Sequence, residues 1–341
     1  MADPTNRRKM EHLQTLLQNK HVERNGHHFD EVQLMHRALP EIDLDEVDPS
    51  VEVMGQQLDF PLLISSMTGG SDAQVLKVNQ RLARAAQATK VAMAVGSQRV
   101  MFTDPSARDS FTLREWAPNT LLLANLGAVQ LNNGFGLEQA QAAIEVLQAD
   151  GLCLHLNPLQ EAVQPEGNTN FAGLAAAIGD LNKQLNVPLI LKEVGTGLAP
   201  GDIELGLAHG IRWFDVAGRG GTSWARIEQQ RRDDRDQLGI TLQDWGITTP
   251  QALRLARPYM EQANFIASGG LRNGLDMVKS VIMGGCLCGI AAPLLVPAMQ
   301  STAAVIHVIE ALKKEFVTAM FLLSARRLDQ LMLNDALVLS Q

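Results

Sequence analysis

Several features are scarce or missing in this 341-residue sequence, and each excludes a class of protein. No run of about 18 or more uncharged apolar residues occurs, so the sequence predicts no membrane-spanning helix. The first residues, MADPTNRRKMEHLQ, lack the apolar core of a signal peptide, so we expect a cytoplasmic protein. Only three cysteines occur, Cys153, Cys286 and Cys288, all in apolar segments and without paired histidines at zinc-site spacing. We therefore expect buried, reduced thiols.

Positive net charge is also missing. The formal net charge is -8 and the isoelectric point is about 5.5, so no general attraction to nucleic acid or anionic lipid is expected. An anionic ligand must be bound by local groups. No GxGxxG motif stands at a strand-to-helix turn, which argues against a dedicated dinucleotide domain. With 46% hydrophobic residues, the chain can bury one large core or two modest ones.

Eight short apolar runs recur at a spacing of roughly 30 residues, which is typical of repeated strand, loop and helix units. Most runs end in Gly, Ser or Asn, as expected for strands buried on both faces of a parallel sheet. The runs are PLLISSM, KVAMAVGS, TLLLANLG, GLCLHLN, PLILKEVG, IRWFDVAGRGG, ANFIASGG and GGCLCGIAAP. Eight such units predict an α/β fold, a single (β/α)8 TIM barrel, with a doubly wound open sheet as the competing fold.

The barrel interpretation assigns residues 1–341 to one domain with two additions. Residues 1–58 form an N-terminal extension, and residues 222–247 form an insertion after strand six. The RRDDRD cluster of the insertion predicts a solvated surface segment, but its place after a strand end also permits a lid. Apolar residues at helical spacing predict that 303–333 is helical and closes the outer ring.

In a barrel of this kind the active site is built at the carboxyl ends of the strands. The glycines of SGGLRNG, before a predicted helix, suit either a tight turn or an anion at the helix N-terminus. Lys192 lies inside an apolar run, where a buried cation needs an anionic or polar partner, and a cofactor contact is the favoured explanation. Small residues at the barrel mouth leave room for a flat ring. Together these features suit flavin mononucleotide (FMN) better than a sugar phosphate.

Eight motifs in order carry a resemblance to a known family. They are RRKMEHL, MTGG, GSQR, NLG, HLNPLQE, LKEVGTG, GRGGTS and SGGLRNG, and they span nearly the whole chain. Along them the sequence resembles the type 2, FMN-dependent isopentenyl-diphosphate delta-isomerases. The resemblance implies a (β/α)8 barrel with FMN across its mouth and Mg²⁺ accompanying the diphosphate of the substrate.

The resemblance also implies a role for each matching residue. The residues expected to bind substrate are Arg8, Lys9, Ser97, Gln98, Arg99, His155, Asn157 and Gln160. Gln160 would in addition orient the alkene or relay a proton, and Glu161 would bind Mg²⁺. The residues expected to bind FMN are Met67, Thr68, Gly69, Ser97, Asn125, Lys192, Thr222, Gly270, Leu271, Arg272, Ala291 and Ala292.

Each residue has a simpler interpretation when it is taken alone. His155 suits a hydrogen-bonded core histidine, and Glu161 suits an acid at a helix N-terminus, where the helix dipole favours it. Arg8 and Lys9 alone would be a solvated basic pair. The clustering of HLNPLQE favours the functional interpretation, because Mg²⁺ on a diphosphate needs a carboxylate, and amides and imidazole donate to the remaining oxygens.

The implied reaction is the reversible 1,3-allylic isomerisation of isopentenyl to dimethylallyl diphosphate in isoprenoid biosynthesis. Reduced FMN would act as the main acid and base, with NADPH or NADH as the initial reductant. The resemblance also implies a homo-oligomer, a tetramer or octamer. The expected partners are the isopentenyl and dimethylallyl diphosphates, with no nucleic acid and no membrane.

Two alternatives stand beside this interpretation. An FMN-dependent 2-hydroxy-acid oxidase or dehydrogenase would share the barrel and the flavin, but it needs a histidine base after strand six. That stretch is VAGRGGTS and contains no histidine. A non-catalytic flavin-binding barrel is the second alternative, and the set of substrate-side residues weighs against it.

Overall fold

The computed structural model of the chain describes residues 11–12, 15–16, 22–24, 26, 28–233 and 235–339. Its strands are β1 (Val51–Val53), β2 (Gln56–Leu58), β3 (Leu62–Ile64), β4 (Ala92–Ala94), β5 (Leu122–Gly127), β6 (Gly151–Leu156), β7 (Leu189–Glu193), β8 (Trp213–Asp215), β9 (Asn264–Ser268) and β10 (Gly285–Ile290). Its helices are α1 (Ala73–Thr89), α2 (Leu137–Leu147), α3 (Pro158–Val163), α4 (Leu174–Asn182), α5 (Pro200–Ala208), α6 (Trp224–Gln229), α7 (Leu238–Thr241), α8 (Thr249–Ala256), α9 (Gly274–Ile282), α10 (Ala292–Gln300) and α11 (Thr302–Leu322).

Strands β3 to β10 close into a parallel barrel, in which β10 pairs with both β9 and β3. The expected (β/α)8 fold is therefore confirmed, and each of the eight apolar runs supplies one barrel strand. Parallel strands need a crossover between them, and helices outside the barrel provide it. Because all strands run the same way, their carboxyl ends meet at one mouth of the barrel.

The hairpin of β1 and β2 closes the opposite end. Val53 and Leu58 pack into the same cluster as Leu63, Leu123 and other side chains inside the barrel. A second, larger cluster lies between the strands and the outer helices. The hairpin thus covers the amino-terminal end of the barrel with apolar side chains and leaves the carboxyl-end mouth for ligands.

The N-terminal extension runs along the outside of the barrel before the hairpin. The Lys279 ammonium on α9 donates to the Phe29 carbonyl at 2.7 Å, and Leu34 forms an antiparallel bridge with Val338. Among the described residues, no helix combines the length and the apolar character needed to cross a bilayer.

The prediction of one helix over 303–333 is wrong beyond Leu322. Helix α11 ends at Leu322, and Ser324 follows with a left-handed φ of 61°. A non-glycine residue in that region ends a right-handed helix, and here the Ser324 hydroxyl donates to the Pro40 carbonyl of the extension. The remaining residues form turns and short 3-10 segments at Leu328–Gln330 and Asp335–Leu337.

Candidate active site

A cavity of about 400 Å³ opens at the carboxyl ends of the barrel strands. Its size lies within the range of about 300–1,000 Å³ that is usual for small-molecule and cofactor sites. Most of the residues singled out from the sequence line it. They are Met67, Thr68, Ser97, Arg99, Asn125, His155, Asn157, Gln160, Glu161, Lys192, Thr222, Gly270, Leu271, Arg272, Ala291 and Ala292.

Two singled-out residues in the described part of the chain, Gln98 and Gly69, do not line the cavity. The Gln98 side chain is fully buried behind it, donating to the Ala143 carbonyl at 2.8 Å and accepting from the Asn125 backbone N–H at 3.0 Å. Gly69 packs against the Phe111 ring, which a Cβ at that position would overlap. Arg8 and Lys9 lie outside the described residues.

Close backbone contact brings the loops after β3 and β4 together. A Cβ added at Gly96 would lie 2.6 Å from the Thr68 carbonyl oxygen, a distance that real Cβ atoms do not show. The Gly96 N–H instead donates to that oxygen at 3.3 Å. A glycine is required here because the two loops, which carry Met67, Thr68 and Ser97, touch through their backbones.

The N-termini of two helices, α9 and α10, lie at one end of the cavity. Helix α9 is capped by Asn273, whose side chain accepts from the Asp276 N–H at 2.8 Å, and α10 begins at Ala292. Gly270 has a φ of 85°, a conformation that glycine adopts without strain, and approaches the Gly220 backbone closely. Backbone N–H groups, two helix N-termini and the Arg272 guanidinium suit this end for a phosphate.

A short segment of the extension lies over the same end. Arg24 N–H donates to the Gly221 carbonyl, and Ser223 N–H donates to the Val22 carbonyl. The Glu23 carboxylate between them accepts from the Thr222 hydroxyl and pairs with the Arg272 guanidinium. The residues 22–24, which we call the strap, therefore reach two residues that the sequence assigned to the flavin.

A buried ion pair stands in the wall of the cavity. The Lys192 ammonium lies 2.7 Å from Asp215 Oδ2 and 3.4 Å from the Ser268 hydroxyl oxygen. Strands β7 and β8 pair with Lys192 opposite Asp215, which brings the two side chains together. Of these three residues, Lys192 and Ser268 line the cavity. Asp215, which is 1% exposed, lies behind them. The partner that a buried lysine requires is thus supplied by the next strand.

A polar chain crosses the middle of the cavity from β3 to β6. The Asn125 amide donates to the Ser66 hydroxyl at 2.8 Å, and its Oδ1 lies 2.7 Å from His155 Nδ1. With the amide in this orientation, Oδ1 accepts and His155 Nδ1 carries the proton. The His155 ring is thus held in place through its Nδ1–H.

The HLNPLQE stretch forms the end of β6 and the start of α3. The Asn157 amide donates to Gln160 Oε1 at 3.1 Å and to Glu161 Oε1 at 3.0 Å. Glu161 Oε2 accepts from the Asn168 N–H at 2.6 Å, so both of its oxygens are oriented. Asn157 Oδ1 is buried and has no hydrogen-bond partner among the residues that the structure describes. A buried acceptor without a donor indicates a place for a ligand, a water molecule or an ion.

The insertion after β8 contributes a carboxylate that the sequence did not reveal. Glu228, on α6, is buried and accepts from the Gln160 amide at 2.8 Å. The His12 ring lies 3.1 Å from it, and the Arg231 guanidinium lies 3.0 Å from its second oxygen. Burial acts to raise the pKa of Glu228, but the contacts with His12, Gln160 and Arg231 outweigh burial and hold the pKa below its usual range.

Sequence reasoning missed Glu228 and Asp215 for different reasons. Glu228 lies in a segment, WARIEQQ, that shows no polar residue out of pattern. Asp215 stands inside an apolar run, as Lys192 does, and the same argument about a buried charge would have singled it out. Trp224 and the strap residue Glu23 also line the cavity and carried no local signal.

The three cysteines are free, as expected. Cys153 and Cys288 are buried, but Cys286 is only half-buried, contrary to the expectation. Burial raises the pKa of the Cys153 thiol to about 12, so the thiol remains protonated at neutral pH. Among the residues that the structure describes, three or more His, Cys, Asp or Glu side chains do not converge at any point into a metal site.

The fold resembles that of flavoenzymes of known structure. A flavocytochrome b2 variant with sulfite bound matches with a TM-score of 0.70 and 18% identity, covering 96% of this chain and 82% of that one. A lactate oxidase from Pediococcus acidilactici matches with a TM-score of 0.66 and 16% identity, covering 94% and 85%. At such identities the likeness shows the barrel fold and nothing beyond it.

Sequence comparisons show the family of the chain as well as its fold. The family model described as FMN-dependent dehydrogenase matches residues 6–108 and 130–338. A protein of Hydrogenovibrio crunogenus named isopentenyl-diphosphate delta-isomerase is 58% identical over 341 residues, covering 99% of both chains. Proteins of the same name from Paracoccus zeaxanthinifaciens and Thermococcus onnurineus are 55% and 40% identical, covering 97% and 95% of this chain and 96% and 89% of theirs. The chain belongs to the FMN-dependent dehydrogenase family and, within it, to the isopentenyl-diphosphate delta-isomerases.

Proposed function

We propose that this protein interconverts isopentenyl diphosphate and dimethylallyl diphosphate by a 1,3-allylic proton shift, with reduced FMN and Mg²⁺ bound. One observation carries the proposal. A single cavity joins a phosphate-binding end and a lysine-bearing wall to a separate carboxylate and amide cluster, in a chain that matches named isomerases over nearly its full length. The oxidase alternative has no comparable support, because VAGRGGTS lacks the required histidine.

The residues present fit FMN. Arg272, the Gly270 and Leu271 backbone and the start of α10 would hold its phosphate. Lys192 would lie against the ring system, which the small residues of the mouth, such as Gly96, leave space to accommodate. Reduced FMN, when bound, supplies an electron-rich face and the acid and base for proton transfer.

The donor set at HLNPLQE fits Mg²⁺ carried by a diphosphate. Mg²⁺ keeps several waters and is commonly held by one or two carboxylates together with substrate phosphates. Glu161 would supply the carboxylate, oriented by Asn157 and Asn168. Asn157 Oδ1, which has no partner among the described residues, would accept from a water on the ion. His155 and Arg99 would bind the remaining diphosphate charge.

The substrate alkene imposes the second requirement. Protonation of an alkene produces a tertiary cation, which needs a dry pocket free of competing bases. Met67, Trp224 and Leu295 line the cavity and would exclude water. Gln160, held by Glu228, would orient the alkene or relay a proton, since its amide is fixed by an acceptor on α6.

The remaining parts of the proposal concern the protein in the cell. NADPH or NADH would reduce the flavin once, and the protein would act in the cytoplasm as a tetramer or octamer. Arg8 and Lys9 of the 1–58 extension, with Ser97, would contribute to substrate binding. The insertion 222–247 would act as a lid, because it carries Thr222 and Trp224 into the cavity wall.

An anaerobic assay tests the proposal. The purified protein is supplied with isopentenyl diphosphate, FMN, Mg²⁺ and NADPH, and dimethylallyl diphosphate and NADPH are both followed. We expect product in large excess over the NADPH consumed. Absence of product, or loss of one NADPH per turnover, would reject a redox-neutral isomerase and favour an oxidoreductase on the same barrel.

A further inference from the structure

The buried charge behind Lys192 has no role in the function proposed above. Asp215 is 1% exposed, and its Oδ2 lies 2.7 Å from the Lys192 ammonium. Its Oδ1 accepts from the Ser268 hydroxyl at 2.5 Å and from the Ala217 N–H at 3.2 Å. The carboxylate is therefore held in one orientation by β7, by the turn after its own strand and by β9.

The pair is asymmetric with respect to the cavity. Lys192 and Ser268 line the cavity, whereas Asp215 does not. An ammonium has three N–H donors, and two of them are used by Asp215 and Ser268. Among the described residues no acceptor uses the third N–H, so it is available to a group bound in the cavity. Asp215 thus fixes where the cation stands and partly cancels its field.

A purely structural pair would not need this arrangement. Buried ion pairs add little stability over well-packed apolar residues of similar volume, because their desolvation costs about as much as their attraction returns. The pair instead stands at a wall that faces a ligand whose ring is neutral when oxidised and negatively charged when reduced. The local charge there decides which of the two forms binds better.

We propose that Asp215 is a positioning residue that acts through Lys192 to set the balance between oxidised and reduced FMN in this cavity. The inference rests on the proposed function, because it takes FMN as the ligand of Lys192. With Asp215 ionised, the wall presents a compensated pair that tolerates the neutral ring. Without that charge, Lys192 depends on the ring itself for a counter-charge, which favours the reduced, anionic ring.

The test measures the affinity of FMN for the apoprotein in both redox states. Oxidised FMN is titrated aerobically and dithionite-reduced FMN anaerobically, and the ratio of the two dissociation constants is compared between variants. We expect Asp215→Asn to raise the preference for reduced FMN about tenfold or more, a rise of about 30 mV in the two-electron potential. Lys192→Met should change the ratio in the opposite direction.

The control is Asp276→Asn, which removes another buried aspartate, one that accepts from the Arg272 N–H and lies away from Lys192. It should leave the ratio unchanged even if both affinities fall. Should Asp215→Asn not fold, the comparison moves to Lys192→Met against Lys192→Met/Asp215→Asn. Because Asp215 is proposed to act through Lys192, the ratio should be the same in these two variants, and a rise on loss of the carboxylate would overturn the inference.

The outcomes separate this inference from the proposed function. An unchanged ratio in Asp215→Asn, with both affinities lowered together, would show a structural role only and overturn the inference. A fall in the ratio would also overturn it. Failure of the wild-type apoprotein to bind FMN at all would reject the proposed function itself.

Discussion

At the scale of single residues, the candidate site depends on carboxylates whose oxygens are all oriented. Glu161 accepts from an amide and a backbone N–H, and Glu228 accepts from an amide and contacts the His12 ring and the Arg231 guanidinium. Each carboxylate therefore has a defined partner, and a change that keeps its shape but removes its charge tests one contact at a time.

Glu161→Gln should lower isomerase activity and weaken its dependence on Mg²⁺, because the amide keeps the size of the side chain but is a poor ligand for a hard cation. We expect a loss of about 100-fold in kcat/KM, of the order seen when one catalytic electrostatic contact is removed. FMN should remain bound, and its absorbance on the purified protein measures this. Equal loss of flavin would mean that Glu161 serves the flavin and not the metal.

The lowered pKa of Glu228 predicts that the stability of the protein depends on pH. Its pKa is held below the usual 4.5, so the native state binds fewer protons than the unfolded chain in acid. The stabilisation is present above pH 4.5 and is lost as the pH falls through the lowered pKa. In Glu228→Gln the unfolding free energy should decline less steeply on that limb, as measured by urea denaturation across pH 3–6, a range of about three units that brackets the ordinary carboxyl pKa.

The control for this series is Glu138→Gln, which removes an exposed carboxylate from the first turn of α2. Its acid limb should match that of the wild type. If Glu228→Gln also matches the wild type, the contacts around Glu228 contribute nothing to folding.

At the scale of elements, the cavity is shaped by loops that touch through their backbones. Its wall requires the loops after β3 and β4 to meet where Gly96 faces Thr68. The sequence predicted the strand ends correctly, because each apolar run stops at small or polar residues. It did not predict this contact, since Gly96 resembles any glycine of a turn.

Gly96→Ala should displace the loop that carries Met67 and Thr68. The new Cβ would meet backbone atoms, which cannot move aside as a flexible side chain would. We expect the unfolding free energy to fall by about 1–3 kcal/mol, as is usual for overpacking, and FMN affinity to fall with it. Fluorescence titration with FMN and thermal unfolding measure the two effects.

The matched control is Gly201→Ala in the first turn of α5, where an added Cβ meets nothing within 4 Å. Alanine is the better helix former by about 1 kcal/mol at interior positions, so this change should be neutral or stabilising. A Gly96→Ala variant as stable as this control would show that the two loops part easily.

At the scale of the whole molecule, the extension and the insertion are joined by one buried arginine. The Arg24 guanidinium, in the strap, donates to the Gly195 carbonyl at 2.9 Å and to the Gln243 carbonyl at 2.8 Å. It therefore connects the strap to the loop after β7 and to the end of the insertion. These segments are far apart in the sequence and meet only over the cavity.

Arg24→Ala should loosen the insertion, because it leaves buried carbonyl groups without a donor. The insertion carries Arg231, Arg232 and Arg235, which are tryptic sites, and the first two are held by ion pairs. Limited trypsin digestion should cut within 231–235 several times faster than in the wild type. Arg254→Ala, on the exposed face of α8, is the control and should not change this rate. Equal rates in all three proteins would contradict a bracing role for the strap.

Local patterning was enough to predict the barrel, the order of its strands and most of the cavity wall. Burial on both faces makes a strand continuously apolar, and the turn residues that follow must lie at the carboxyl-end mouth, so position along the chain specified position in the fold. The turn at Gly270 was found in this way, whereas Ser97, Asn157 and Glu161, which also follow apolar runs, received their roles from the family resemblance. These inferences needed no knowledge of which strands or loops touch.

The contacts that complete the site depend on closure of the barrel. Asp215 meets Lys192 across 23 residues of sequence, and Glu228 meets Gln160 across 68. Gln98 turned away from the cavity because the Ala143 carbonyl and the Asn125 N–H offered it partners inside the protein. Hydrogen bonds and ion pairs between distant residues leave no periodic trace in a sequence, because they are chosen by three-dimensional packing and by the cost of leaving a buried polar group unpaired.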